Sequence, residues 1–223
     1  MGRLARQEYI GDGHWLVADR QTAGRGRLGR AWGDGHGNFM GSVAVQLQAG
    51  DPIPATLALA SAVALVKAAT ALVPDLPLII KWPNDLLLDG AKCSGILLER
   101  SGNMVVIGMG VNLVSSPDMP DRKTACFADY GLNVSRDHFA QALAIAMQDE
   151  IGRWRHEGVG AIIQQWSALA HPIGTPLRVS EQAIDGLFDG LTADGALRLK
   201  RGNEILEIHA GDVELHRGLG LGT

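Results

Sequence analysis

The hydrophobic pattern divides the chain into two unlike parts. Residues 39–48 alternate, with Ser42, Ala44 and Gln46 on one side and Val43, Val45 and Leu47 on the other, which predicts a strand. Residues 14–18 form a short apolar run that reads as a buried strand. Residues 51–72 are rich in alanine, leucine and valine and read as a helix, which Pro74 and Pro77 prevent from continuing. Residues 78–80 predict another short strand, residues 86–88 resume extended structure, and Asp89-Gly90 is a hairpin signal. The return strand covers 91–100. A turn at Ser101-Gly102-Asn103 leads to a third strand at 104–111. This antiparallel meander sets Lys81 to Asp85, Lys92 and Gly110 to Asn112 on neighbouring elements. Residues 115–129 read as a loop. Ser135 caps a helix that runs to about His156, Gly158 breaks it, and 161–169 form a second helix. Residues 3–8 read as the end of a short helix.

The pattern changes after His171-Pro172-Ile173-Gly174. Apolar runs at 176–180, 183–188, 196–201, 204–209 and 213–216 follow, separated by turns such as Asp189-Gly190, Asp194-Gly195 and Gly202-Asn203. Five short strands in so little chain predict a small barrel. The boundary falls near Pro172, giving domains at 1–171 and 172–223.

Composition narrows the function classes. With 46% hydrophobic and 20% charged residues among 223, the chain fits a globular protein. A net charge of -4 argues against a general nucleic-acid binder. Cys93 and Cys126 have no metal-ligand spacing and suggest no disulfide framework, so a reducing cytoplasm is expected. The first ten residues carry charges and no apolar core, so no signal peptide is expected. Residues 55–73 approach the length of a membrane span, but their alanine content and Lys67 favour a buried core helix.

Against this mildly acidic background, residues 24–30 stand out. The run Gly24-Arg25-Gly26-Arg27-Leu28-Gly29-Arg30 combines backbone freedom with permanent positive charge. Its Gly-x-Gly-x-x-Gly spacing matches a dinucleotide fingerprint. That site also needs a helix to begin at the loop, and Trp32-Gly33-Asp34-Gly35-His36-Gly37 cannot start one. No Gly-Lys-Ser/Thr follows, so a P-loop is excluded. An anion-binding loop that works through its side chains remains. Lys81-Trp82-Pro83-Asn84-Asp85 is either an Asx turn or part of a site. Lys92, across the predicted hairpin from Asp85, is either an exposed hairpin residue or an electrophilic clamp, and Asp85 could take a proton from an incoming amine. Gly108-Met109-Gly110-Val111-Asn112 is a strand-end turn or a place of close backbone approach.

Taken together, the glycine–arginine loop with Trp32, Lys81-Trp82-Pro83-Asn84-Asp85, Lys92 before Gly95-Ile96-Leu97-Leu98-Glu99, and Gly110-Val111-Asn112 resemble the biotin protein ligase family. The resemblance covers nearly the whole chain. It implies an α+β fold: a class II aminoacyl-tRNA-synthetase-like mixed sheet with flanking helices, plus a C-terminal SH3-like β-barrel. It implies ATP-dependent activation of biotin as biotinyl-5′-AMP, with Mg²⁺ carried by ATP and no protein metal site, then transfer to a lysine of a biotin carboxyl carrier protein. By the same resemblance Arg27, Lys92 and Asp85 are catalytic, with Asp85 a base or an electrostatic partner. Gln21, Gly24, Arg25, Gly26, Arg27, Lys92 and Gly95 contact biotin, and Arg27, Arg30, Trp32, Lys92 and Asn112 hold ATP. Gly29, Lys81, Trp82, Pro83, Asn84 and Gly110 support the site.

The family's upstream Ser-Thr-Asn segment has no counterpart here, so residues 1–171 are expected to lack the first strand and one wall of the biotin pocket. No DNA-binding domain, DNA partner or membrane partner is expected, and a homodimer through the catalytic-domain sheet is possible. The rival readings are a degenerate ligase that binds nucleotide or carrier without turnover, and a related acyl-adenylate ligase acting on lipoate.

Overall fold

The computed structural model describes residues 10–33, 35–120 and 122–215, so the helix end expected at 3–8 lies outside the described residues. Strands β1 (Trp15–Val17), β2 (Phe39–Gln46), β3 (Leu78–Lys81), β4 (Asp85–Leu88), β5 (Ala91–Ser101) and β6 (Met104–Val111) form one sheet. Its spatial order is β1-β2-β6-β5-β4-β3. All five ladders are antiparallel. Parallel contacts come from isolated bridges at Ile80–Ala170 and Lys92–Thr124. The hairpin signal at 89–90 is realised as a turn with φ of 49° at Asp89 and 75° at Gly90, the positive pair that matches strand twist.

One face of this sheet is covered by helices α1 (Leu57–Leu72) and α2 (Arg136–Glu157), and α3 (Val159–Ala168) packs against both of them. Phe39, Val43 and Val45 of β2, Ile107, Met109 and Val111 of β6, and Leu86 and Leu88 of β4 share a core with α1 and α2. Helix α1 is apolar all round because it is buried all round, and its alanines let α2 and the sheet approach closely. Together with the 3₁₀ turn before it, over Pro54–Leu72, it is long and apolar enough to cross a membrane, but here it is the central core helix. Its one charge, Lys67, places Nζ 2.5 Å from Oε1 of the fully buried Glu150 and 2.6 Å from Oε1 of Gln165. Ser135 caps α2 by accepting from the backbone N–H of His138 at 3.2 Å.

The second part of the chain forms a five-stranded antiparallel sheet: β7 (Pro176–Val179), β8 (Ile184–Leu191), β9 (Leu197–Arg201), β10 (Glu204–Ile208) and β11 (Val213–Leu215). Its order is β10-β9-β8-β7-β11. Trp166 of α3 packs edge-on against Phe188 of β8, with centroids 6.3 Å apart, and this joins the two parts.

Three expectations need correction. Residues 14–18 are not a buried strand. The strand is Trp15–Val17 at the end of the sheet's strand order, with Leu16 44% and Val17 38% exposed, because among the described residues β1 pairs only with β2. The helix expected from residue 51 begins at Leu57, after a 3₁₀ turn at Pro54–Thr56. Asp189-Gly190 does not separate two strands. It lies inside β8 as an irregularity opposite β9, with Gly190 at φ 91°.

Candidate active site

Strand alternation leaves the face opposite the helices to Met40, Gly95 and Gly110. Register then aligns them. Lys81 pairs with Asp85, Asp85 with Gly95, Gly95 with Gly110, and Gly110 with Met40. One row therefore crosses five strands, and two of its positions carry no side chain.

A bulge makes this row possible. The β4–β5 register jumps between Leu86 and Leu87, from Ser94 to Lys92, so Cys93 has no partner on β4. Cys93 turns into the helix-side core, where burial pushes its thiol up to about 12. The extra residue brings Gly95 opposite Asp85 on the face that also carries Lys92. A Cβ placed on Gly95 would lie 3.5 Å from Lys92 Nζ.

Asp85, 5% exposed, is the anion of the row. Lys92 Nζ lies 2.5 Å from its Oδ1 and Lys81 Nζ 3.2 Å from its Oδ2. Burial works to raise the Asp85 pKa, yet Lys92 and Lys81 overcome it and hold the carboxyl below its usual value. Burial pulls Lys92 below the ordinary lysine range despite the attraction of Asp85. An ionised carboxylate with a lysine on each oxygen is suited to electrostatic work rather than to taking a proton.

The glycine–arginine loop lies over this row. Its helical content is one 3₁₀ turn at Arg27–Gly29, interrupted by Leu28 at φ 56°. The rest closes as a narrow bend: Arg25 bridges Ala31, Gly26 N donates to Arg30 O at 2.7 Å, and Trp32 N donates to Gly24 O at 3.0 Å. Gly24 must be glycine, since a Cβ there would meet both Gln21 Oε1 and Trp32 O at 2.6 Å. The Trp32 ring rests on the row. A Cβ on Gly110 would lie 2.3 Å from Trp32 Cε2, and Lys92 Nζ stands 5.8 Å from the ring centroid.

The arginines reach the second sheet. Arg27 Nη1 donates to Asn84 Oδ1 at 3.2 Å and Asp212 Oδ1 at 3.1 Å, and both its terminal nitrogens reach Gly211 O at 3.3 Å. Arg30 pairs with the other oxygen of Asp212. Asn84 also donates to Ile96 O at 2.6 Å, and Trp82 Nε1 donates to Gly195 O at 3.1 Å. The turn that joins β3 to β4, which includes Pro83, is thus pinned to the loop, to β5 and to the C-terminal sheet.

The structure therefore gathers Arg27, Trp32, Asn84, Asp85, Lys81, Lys92, Gly95 and Gly110. Arg25 and Gly29 lie on the exposed outer part of the bend. Asn112 follows β6 and is buried, with Nδ2 donating to Ala125 O at 3.1 Å, so half of its amide is committed to the fold.

Two residues were not legible beforehand. Asp212 falls in the link between the apolar runs at 204–209 and 213–216, where nothing in the sequence marks it. Asn38 stands between the glycine-rich stretch ending at Gly37 and the strand expected from residue 39. Asn38 in fact accepts three backbone N–H groups at Oδ1, from Leu113 at 3.0 Å, Val114 at 2.9 Å and Ser115 at 3.2 Å. Its Nδ2 donates to Ser115 O at 2.7 Å. It roots the arginine loop in the segment that follows Asn112. The Gly-Asn pair at 37–38, just before an apolar strand, was its only trace.

Two family models match the chain. Residues 6–112 match the Biotin/lipoate A/B protein ligase family, and residues 177–216 match the Biotin protein ligase C terminal domain. The chain is 36% identical over 204 residues to a biotin–[acetyl-CoA-carboxylase] ligase of Paracoccus denitrificans, covering 83% of each. It is 32% identical over 211 residues to the enzyme of that name from Mycobacterium tuberculosis, covering 91% of this chain and 79% of the relative. Its fold is similar to that of biotin protein ligase from Aquifex aeolicus in complex with biotin and ATP, with a TM-score of 0.84 at 24% identity, covering 97% of this chain and 94% of the other.

Proposed function

The chain belongs to the biotin protein ligase family, and from that premise we propose how its residues carry the reaction. It uses ATP to convert biotin to biotinyl-5′-AMP and transfers the biotinyl group to a lysine of a carboxylase carrier protein. In the first step a biotin carboxylate oxygen attacks the α-phosphorus of ATP, the bond to the β-phosphate bridge breaks, and pyrophosphate leaves. In the second, the carrier amine attacks the acyl carbon, AMP leaves and the amine loses its proton.

The observation that carries the site assignment is the row Asp85–Gly95–Gly110 with Lys92 beside it and Trp32 above it. Two side-chain-free positions make a shallow trough in the sheet that the Trp32 ring fills in this structure, and when that ring turns to the nucleotide, biotin takes its place against Gly95, Gly110, Gln21 and the backbone at 24–27. The first step brings two anions together, so cations at the meeting point lower its barrier. Arg27 and Lys92 take the biotin carboxylate and the α-phosphate. Arg30, Trp32 and Asn112 serve the nucleotide. Arg27 and Arg30 now face Asp212, and incoming phosphates compete with that carboxylate for the same guanidinium groups. The loop, closed over the adenylate, keeps water from the anhydride. Asp85 acts as an electrostatic partner, since both its oxygens face lysines. Mg²⁺ enters with ATP as part of the substrate.

We place the catalytic unit in residues 1–171 and the second domain in 172–223, and we take the protein to be cytoplasmic. Self-association uses the sheet of the catalytic domain.

The test is incorporation of biotin into a purified carrier domain, read by intact mass. Labelling of the carrier's target lysine that depends on both biotin and Mg-ATP is expected. Binding of ATP without labelling would support the degenerate-ligase reading, and preference for lipoate in competition would support the other rival.

One substitution tests the trough. Gly110→Ala puts a methyl group into the space of the Trp32 ring. Overpacking of this kind costs about 1–3 kcal/mol. The expected result is a KM for biotin raised by about tenfold or more, with a melting temperature lowered by only a few degrees. An unchanged KM would move the trough elsewhere.

A further inference from the structure

Asp85 carries one more cation than it needs. Its carboxylate has a lysine on each oxygen, and the two lysines differ in what else holds them. Lys81 is the direct cross-strand partner of Asp85, so sheet register fixes the pair, and its Nζ also donates to Val213 O of β11 at 2.9 Å. It is tied on both sides. Lys92 stands on the trough side, near Gly95 and under Trp32. It is the lysine that the proposed reaction calls on, and to meet the substrate anions it must turn away from Asp85.

A buried carboxylate resists the loss of its counter-ion, because removing one partner of a buried pair leaves an uncompensated charge. Held by Asp85 alone, Lys92 would be a poor electrophile. We infer that Lys81 is the resident counter-ion of Asp85, a positioning residue whose charge releases Lys92 to the reacting carboxylate and phosphate. With Lys81 in place, the cluster of two ammoniums and one carboxylate keeps a net positive charge to offer, and Asp85 stays neutralised while Lys92 moves. The bond to Val213 gives the C-terminal sheet a part in this by fixing the counter-ion in place. This inference rests on the adenylation reading above.

Charge can be separated from hydrogen bonding. Lys81→Gln keeps a donor for Val213 O and Asp85 but removes the charge, and Lys81→Arg keeps both. Biotin-dependent exchange of labelled pyrophosphate into ATP reads the first step alone, with the wild-type enzyme as control. The expected result is a kcat at least tenfold lower in Lys81→Gln, a KM for biotin within threefold of wild type, and recovery of at least half the activity in Lys81→Arg. Removing the acid as well should relieve the defect, so the double variant Lys81→Gln, Asp85→Asn is expected to exceed Lys81→Gln in exchange rate. A Lys81→Gln enzyme within twofold of wild type would overturn the inference. So would a Lys81→Arg enzyme no better than Lys81→Gln, or a double variant no faster than the single. Absence of exchange in the wild type would instead overturn the adenylation reading.

Discussion

Replacing Lys92 with methionine is expected to lower the rate of adenylate formation by about 10²- to 10³-fold, the usual loss when one preorganised charge-stabilising donor is removed. The fold should survive. Methionine matches the length of the lysine stem, and Asp85 keeps Lys81 at 3.2 Å, so the buried carboxylate is not left alone. Binding of biotin should weaken less than turnover slows, since the charge matters most where the two anions converge. Single-turnover rates and melting curves on the same preparation check both halves. A rate within tenfold of wild type in a folded protein would remove Lys92 from the chemistry.

The second large effect is expected at Arg27. Its guanidinium holds Asn84 in the turn between β3 and β4, and Gly211 and Asp212 ahead of β11. Arg27→Gly deletes all of these and adds freedom to a bend that already contains three glycines. Arg30 alone would still tie the bend to Asp212. The adenylate should then escape before transfer, about tenfold faster or more, and label lysines on bystander proteins. Dissociation of biotinyl-AMP, followed by filtration and by labelling of an unrelated protein, measures this. Retention equal to wild type would show that the loop does not act as a cover.

Much of the way these candidate residues gather was legible before any coordinate, because they lie close together in sequence. The arginine loop, the Lys81 to Asp85 turn, Lys92 and the glycine pair each declare themselves by residue type and spacing. The Asp89-Gly90 turn was enough to bring Asp85 and Lys92 to the same end of the meander, and the structure has them 2.5 Å apart. The failed helix after Gly29 was equally readable, and it separated this loop from a dinucleotide site.

What was not legible depends on long-range register. The bulge at Cys93 puts Gly95 in line with Gly110, and an apolar cysteine in a strand carries no mark of it. Asp212 lies 185 residues from Arg27 and takes its meaning from the docking of the C-terminal sheet. The position of Trp15–Val17 at the end of the strand order was missed because an apolar run looks the same there as in the middle of a sheet. The Asp189-Gly190 bulge was taken for a turn because both use a glycine at positive φ.

The central claim is that the row under the arginine loop makes an adenylate and keeps it. The most direct measurement is an acid-quenched single turnover with α-labelled ATP, Mg²⁺ and biotin in the absence of carrier protein. The expected result is biotinyl-AMP in stoichiometric amount, retained with the protein on rapid gel filtration and discharged when carrier is added. Hydrolysis of ATP to AMP without an acid-stable biotinyl adenylate, or an adenylate that elutes free of the protein, would contradict it.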